Sequence, residues 1–487
     1  MRPLGKCLAY SVILCTAAVM FASAVPAYTP PDPETYVPRM DTVLKQKQSI
    51  DDPRPIQKNY GPGAVLPPEF WNHLTHDVQE MKDVWSALVG FKAPEVVGQI
   101  APEITPGKYT LADVKNKPGL NELLIPPLKL RLRNPGPPYV CAIEAFEIIP
   151  TRQLYWGLPI AEATRKNKGK AKLDKDGFII AETWMAGYPF PQPEGKYKAR
   201  KLIYNHLSKY SNWGGDQAWY IKGFGFNKNL RTESDNSIEV IGLRAHGRVL
   251  FEPYGWVSAA AEKRSQKSIA AAVYNSPRDV KGLVWHITTF NDPQTLDQSL
   301  MWVPSIRRIR KLSATDTQDS APGENATMDD TQGFSQKMTP DRYPMKFEIT
   351  EDREYLTVAF QEIGDEYVDS KDGYAFKNAK LERRPIYTIL VTELDKNYVY
   401  SKRIIFMDKE TFFIPVTDCY DQKDRLYRSI WWHQCFIPKA GIIANVGGYF
   451  IASDHVDEQS NFSIEYGIPA NYQLGDVSLK GVLKMAK

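Results

Sequence analysis

The sequence predicts a mainly β protein with helices, of the α+β class, and three observations carry that expectation. Aromatic residues make up 12% of the chain, with 26 Tyr, 20 Phe and 11 Trp, and such side chains suit a pleated, half-buried surface. Prolines (36) outnumber glycines (31), which favours strands, turns and extended arms over helical bundles. Beyond residue 100, runs of strand length separated by short polar turns dominate, most clearly between residues 385 and 435. The 43% hydrophobic and 24% charged residues are ordinary for a folded chain and exclude a disordered or multi-span membrane protein. The formal charge is +4, with 61 Lys plus Arg interspersed among 57 Asp plus Glu, so there is no electrostatic footprint for nucleic acid.

At the N-terminus, Arg2 and Lys6 precede the uncharged run CLAYSVILCTAAVMFASAV, and the first acidic residue is Asp32. That is the pattern of a secretory signal, with small residues placing cleavage after Ala24 or, as favoured here, after Ala27. An uncleaved anchor is the alternative, because the 19 residues from Cys7 to Val25 could just span a bilayer. Cleavage at Ala27 leaves 59 basic against 57 acidic residues, a nearly neutral mature protein expected in the periplasm. Cys141, Cys419 and Cys435 then remain. If residues 421–424 form a hairpin turn, Cys419 faces residue 426 and Cys435 faces residue 410, so the two cysteines lie about 30 Å apart along the sheet, beyond disulfide reach. Three free thiols are expected.

Residues 28–68 carry nine prolines and few large apolar side chains, which reads as an extended arm. Phe70, Leu74, Val78, Met81, Trp85 and Leu88 then recur at helical spacing before Gly90, predicting a helix whose acidic outer face suits packing on the protein's own body. From residue 69 to 487 a single large domain is expected. Its predicted strands are Tyr139–Ile149, Gly177–Trp184, Gln217–Phe226, Ser237–Pro253, Leu283–Phe290 and Leu300–Leu312. Helices are predicted over Glu194–Tyr210 and over the Ala-rich Ser258–Tyr274, and a polar loop over 313–345. A loop that long is usually functional or mobile. Four runs, 385–394, 398–407, 411–420 and 425–435, joined by short polar turns, predict a continuous antiparallel meander.

Catalytic templates are missing. The sequence holds no Gly-x-Ser-x-Gly elbow, Ser-x-x-Lys pair, His-Glu-x-x-His or phosphate-binding loop, and Gly223-Phe-Gly225 lacks the third glycine of a dinucleotide turn. The seven histidines, His73, His76, His206, His246, His286, His433 and His455, supply no third ligand at close spacing. No catalytic residue, metal site or cofactor is therefore assigned.

One segment calls for a partner. Trp302-Val-Pro-Ser-Ile-Arg307-Arg308-Ile-Arg310-Lys311-Leu312 reads as one strand with four cations, and strict alternation places two of them on each face. Cations turned inward need carboxylates or an anionic ligand, and the nearest downstream acids are Asp329 and Asp330. The expectation is a latch in which one arginine pair meets the two aspartates beside a ligand pocket. The alternative is an edge strand with every charge solvated.

Three stretches resemble one family. WVPSIRRIRKLSATDTQ with the later MDDTQGFSQKM is similar to the W-x-P-x-x-R-R-x-R … D-D signature of a bacterial periplasmic family, domain of unknown function 1329, related to outer-membrane lipoprotein-sorting proteins. AGYPFPQPEGKYKARKLIYN looks like its G-x-P-F-P segment, with Pro189, Phe190, Pro191, Ala199 and Asn205 in place. The third, from Arg383 to Trp432, resembles its Y-S-K-R … D-x-E-T … Y-D … L-x-R ending at Tyr400–Arg403, Asp408, Glu410, Thr411, Tyr420, Asp421, Leu426 and Arg428. It departs at Asp424, where relatives usually have a turn glycine. The resemblance covers roughly residues 70–470 and implies a strongly curved, half-open antiparallel sheet with helices on its concave side. It further implies a carrier for a lipid or other hydrophobic molecule, working with a resistance-nodulation-division type exporter or an outer-membrane partner. An enzyme acting on such a molecule in the same cavity is the alternative. Trp302, Arg307, Arg308, Arg310, Asp329 and Asp330 are the candidate pocket or latch residues.

Overall fold

The computed structural model describes residues 73–312, 316–318, 320, 324–340, 342, 344–361 and 375–485. The signal and arm expected over 1–68 lie outside the described residues, as do parts of the 313–345 loop. The strands are β1 (Gly107–Thr110), β2 (Ala145–Ile149), β3 (Gln217–Phe226), β4 (Thr232–Arg244), β5 (His246–Arg248), β6 (Gly255–Trp256), β7 (Gln266–Ser276), β8 (Val284–Phe290) and β9 (Gln298–Val303), followed by β10 (Arg308–Leu312), β11 (Met345–Val358), β12 (Ala379–Glu393), β13 (Lys402–Asp408), β14 (Val416–Tyr420), β15 (Leu426–Ile437), β16 (Ile442–Asp454) and β17 (Gln459–Pro469). All but β5 and β6 join one sheet of 15 strands, in the order β1-β2-β12-β13-β14-β15-β16-β17-β3-β4-β7-β8-β9-β10, with β11 added beside β12. The sheet does not close, because β1 and β10 stand at opposite ends of that order.

The meander β12-β13-β14-β15 is antiparallel throughout, as its short turns require. At the last turn Asp421 accepts the backbone N–H groups of Lys423 and Arg425, and Asp424 adopts φ 61°. An aspartate tolerates the left-handed region where a glycine would adopt it freely. A bulge shifts the register, so Cys419 faces Arg428 instead of residue 426, and Cys435 faces Ala444 on β16. Cys141, Cys419 and Cys435 are three buried free thiols.

The expectation of a wholly antiparallel sheet needs correction. β2 and β12 pair in parallel, which the chain accommodates because everything between residues 149 and 379 forms the crossover. Three local expectations also fail. Helix over Ser258–Tyr274 is confined to Ala259–Lys263, Ser265 turns the chain at φ 51°, and Gln266–Ser276 is β7. Pairing with β4 on one edge and β8 on the other overrides the helix preference of the alanines, because sheet position outweighs intrinsic propensity. Gly177–Trp184 is a loop with a short 3-10 turn at Ala181–Thr183. Leu300–Leu312 is two strands, since Pro304–Arg307 forms a turn in which Arg307 adopts φ 50° and donates its N–H to the Pro304 carbonyl at 3.2 Å.

Among the helices, Val78–Val89 begins at Asp77, whose carboxylate accepts the Glu80 N–H, and ends at Gly90 with φ 91°. It buries Met81, Trp85, Leu88 and Val89, and the Trp85 indole donates to the Glu410 carbonyl at 2.8 Å. Leu158–Asn167 and Lys198–Leu207 cover the same face of the sheet. That inner face carries Leu202, Tyr188, Ile405 and Trp432. Trp431, one residue away, points to the opposite face with Leu128, Phe146 and Ile464, as strand alternation dictates. The outer side of β3, β4, β7 and β8 packs on the C-terminal Leu479–Met485 helix through Ala218, Leu243, Ala271, Val477 and Val482. Among the described residues no helix is long and apolar enough to cross a membrane.

Candidate functional site

On the inner face, β3, β4, β7 and β8 present Trp219 and Ile221, Ile238 and Val240, Ala270 and Ala272, and Trp285 and Ile287, each pair two residues apart on its strand. The segment 324–338 crosses over them like a strap. Between strap and strands lies an apolar chamber of about 280 Å³, closed on its far side by Trp432 and Phe450. Next to it is a second, more polar chamber of about 330 Å³, in which Lys209, Arg244, Lys267, Asp297 and Lys337 stand among apolar walls such as Trp184 and Phe290. Trp219, Val240, Ala270 and Gln332 are walls of both.

The strap is held by the residues of the D-D motif. Asp329 accepts a hydrogen bond from the Tyr398 hydroxyl at 2.6 Å and from the Thr317 hydroxyl at 3.0 Å. Asp330 accepts the Tyr400 hydroxyl at 2.7 Å and the Thr327 N–H at 2.8 Å. Arg403 and Arg428 bring guanidinium groups to within 3.8 and 3.9 Å of the Asp330 carboxylate. Arg403, fully buried, also donates to Glu393 at 2.8 Å, to the Gln336 side-chain carbonyl at 2.6 Å and to the Tyr398 oxygen at 2.7 Å. Burial pushes the Asp329 carboxyl up, opposed by Arg403, and pushes Glu393 up to about 7 against the same guanidinium. Gly333 completes the strap at φ 83°, and a Cβ there would stand 2.7 Å from the Ile414 side chain. Only glycine fits so close an approach in that conformation.

The structure therefore brings Asp329 and Asp330 together with Arg403 and Arg428, and not with the cations of β10. Arg308, Arg310 and Lys311 are exposed, as is Arg307 in the turn. The latch as expected is not formed, and the reason is the hairpin: a turn at Pro304–Arg307 cancels the continuous alternation that forced two cations inward. Trp302 is half-buried on the outer side with Val284 and Ala271 and is not a wall of either chamber.

A second buried ion cluster fixes the other end of the meander. Arg384 donates to Asp408 at 2.7 Å and Glu410 at 2.8 Å, and reaches Glu382 at 3.2 Å. Glu410 in turn accepts the N–H groups of Ala93 at 3.0 Å and Leu154 at 2.8 Å, tying the N-terminal helical region to β13. The D-x-E-T and Y-S-K-R residues are thus structural anchors. The chamber walls escaped sequence reading because Trp219, Ala272 and Lys267 come from strands that only the tertiary fold makes neighbours; the one local signal was the two-residue repeat of apolar side chains on β3, β4 and β8. Among the described residues no group of His, Cys, Asp and Glu is arranged to hold a metal ion.

Among solved structures, the chain is similar to a DUF1329 family protein from Desulfovibrio piger, at 12% identity over 58% of this chain and 95% of that one, with a TM-score of 0.39. It is also similar to a LolA superfamily protein from Nitrosomonas europaea, at 9% identity over 58% and 98% of the two chains, with a TM-score of 0.35. The chain matches no curated protein. Residues 145–455, which hold the strap, both ion clusters and most of the chamber walls, match the model described as protein of unknown function (DUF1329), and the chain belongs to that family.

Proposed function

We propose that the protein is a periplasmic binding or carrier protein for a lipid or other hydrophobic molecule, working with a resistance-nodulation-division type exporter or an outer-membrane partner. The observation that carries this reading is the apolar chamber of about 280 Å³ between the strap and the inner face of β3, β4, β7 and β8. A concave, aromatic-lined space beside a few polar groups is the usual form of a small-molecule site. Export is supported by the N-terminal signal pattern ending near Ala27. The roof is a strap pinned by buried hydrogen bonds and ion pairs, which holds the site in a defined shape.

The test is to purify the protein from the periplasmic fraction, extract it with organic solvent and identify the released molecules by mass spectrometry. Near-stoichiometric apolar ligand is the expected result. Ala272→Phe, which fills the chamber from β7, should lower the ligand content several-fold while leaving the folded protein intact. A protein that brings no apolar ligand and binds no environment-sensitive apolar dye would end the proposal.

A further inference from the structure

The polar chamber is built with an imbalance of charge. Lys209, Arg244, Lys267 and Lys337 line it, and the single carboxylate among its walls is Asp297, which Lys337 already holds at 2.7 Å. Asp216, nearby, is held by the Arg248 guanidinium at 2.7 Å and accepts the backbone N–H of Arg244 at 3.0 Å, so it only partly offsets the Arg244 charge. Lys267 donates to the Leu207 carbonyl at 2.7 Å, and the Lys209 ammonium lies 3.4 Å from the His206 Nε2. Arg244 is 7% exposed; its Nε and Nη2 donate to backbone carbonyls of Gly214, Ser208 and Lys209, and its Nη1 is buried with no hydrogen-bond partner. Buried cations without counter-charges are costly to maintain. Their strain is visible in the lysines: burial, then Arg244, pushes Lys267 down to about 8, and burial, then Lys267 and Arg244, lowers Lys209 strongly.

The adjoining apolar chamber offers an anionic head nothing comparable. Glu324 and Glu465 are among its walls, burial pushing the Glu324 carboxyl up to about 7 and raising Glu465 strongly, and among the described residues no cation lines it. An amphiphile lying across the two chambers is therefore oriented by charge.

We propose, on the basis of the carrier reading above, that the ligand is an anionic amphiphile: its phosphate, sulfonate or carboxylate head sits among Lys209, Lys267 and Arg244, and its hydrocarbon tail lies in the chamber walled by Trp219, Val240 and Trp285. Charge-assisted hydrogen bonds from several cations give the head its affinity, and the tail contributes by leaving water. The reversed orientation is disfavoured because, among the described residues, no cation lines the apolar chamber to meet the head.

The test uses delipidated full-length mature protein and four probes: dodecyl phosphate, dodecanol, dodecyltrimethylammonium and inorganic phosphate, each titrated calorimetrically. Dodecyl phosphate should bind about 10- to 100-fold more tightly than dodecanol, the range that charge-assisted hydrogen bonds supply. Lys209→Gln combined with Lys267→Gln should remove most of that advantage and leave dodecanol affinity unchanged. The comparison among probes on the unaltered protein stands even if the double variant folds poorly. Equal affinity for dodecyl phosphate and dodecanol, or preference for the ammonium probe, would overturn the anionic head while leaving the carrier reading intact. Inorganic phosphate binding as tightly as dodecyl phosphate would overturn the amphiphile and leave only an anion site. If no chain-bearing probe binds at all, it is the carrier reading itself that fails.

Discussion

Two arginine-bearing strands of this protein have similar local sequences and opposite fates. β13 reads Lys402-Arg403-Ile-Ile-Phe, and β10 reads Arg308-Ile-Arg310-Lys311-Leu. Arg403 is fully buried within a network of Glu393, Asp330, Gln336 and two tyrosines, whereas Arg308 and Arg310 stand in solvent and Ile309 is 52% exposed. The difference is position. β13 pairs with β12 and β14 and lies under the strap, while β10 is the last strand of the sheet and pairs only with β9. Period-2 alternation assigns side chains to two faces, but it decides burial only where something covers a face. At an open edge both faces are wet, and cations there also discourage edge-to-edge association.

The largest effect expected from this contrast is at Arg403. Arg403→Ala strands Glu393 and weakens the hold on Asp330 in a fully buried setting, and removing one partner of a buried pair typically costs about 3 to 5 kcal/mol. The denaturant midpoint reads this directly. A loss below about 1 kcal/mol would put Arg403 in the same class as Arg308 and dissolve the comparison. Asp330→Asn together with Arg403→Ala should be markedly less than additive, because the two act on one network.

Next in size is a carboxylate that has burial without a cation. Asp418 on β14 is 6% exposed and accepts the Ser429 hydroxyl at 2.5 Å. Burial pushes its pKa from 3.8 up to about 7, with the serine hydrogen bond opposing. The folded chain then keeps a proton between about pH 4 and 7 that the unfolded chain has released. Its stabilising contribution is complete below about pH 4 and is lost as pH rises through 7. Asp418→Asn lacks this titration, so the stability of wild type relative to the variant should fall across that window by about 4 kcal/mol, the equivalent of that shift at about 1.4 kcal/mol per pKa unit. A difference that is flat with pH would show that Asp418 is ionised in the folded state.

Smaller again are the hydroxyls that pin the strap. Tyr398→Phe and Tyr400→Phe each remove a hydrogen bond to a buried aspartate and the oxygen that accepts from Arg403 or Arg428, and about 1 to 3 kcal/mol is expected for each because buried charged groups lose a partner. Because the strap roofs the apolar chamber, both variants should also release bound apolar dye faster in a stopped-flow displacement. Unchanged release with reduced stability would mean that the strap does not gate the chamber.

Much of this arrangement was legible in the sequence, for identifiable reasons. The meander was readable because each of its turns is short and polar, and short turns leave antiparallel pairing as the only outcome. The helix with Met81, Trp85 and Leu88 was readable because apolar residues recur at helical spacing up to Gly90, but its start was read too early, at Phe70, whereas Asp77 caps a helix that begins at Val78. β7 was not, since alanines favour helix and only the neighbouring strands β4 and β8 reverse that preference. The importance of Asp329 and Asp330 was visible, but their partners were not: Arg403 and Arg428 lie 73 and 98 residues downstream of Asp330, and sequence proximity pointed to the wrong arginines. The chambers were invisible for the same reason, being made of strands from both halves of the chain.

The smallest expected effect falls on β10, and it is the sharpest check on the positional argument. Arg308→Ala, Arg310→Ala and Lys311→Ala remove exposed charges from the last strand of the sheet. Each should change the denaturant midpoint by less than about 0.5 to 1 kcal/mol, the range for solvated surface charges. A double variant of Arg308→Ala with Asp330→Asn should be additive, since independent sites add. What the charges do contribute is solubility of an edge that exposes Ile306 and Ile309. A triple substitution of Arg308, Arg310 and Lys311 by Ala should therefore leave stability near that of wild type while promoting concentration-dependent association, seen as a rising apparent mass in light scattering. If instead the triple variant unfolds easily and stays monomeric, β10 is held from a side that its exposure does not reveal, and position at the sheet edge is not what separates it from β13.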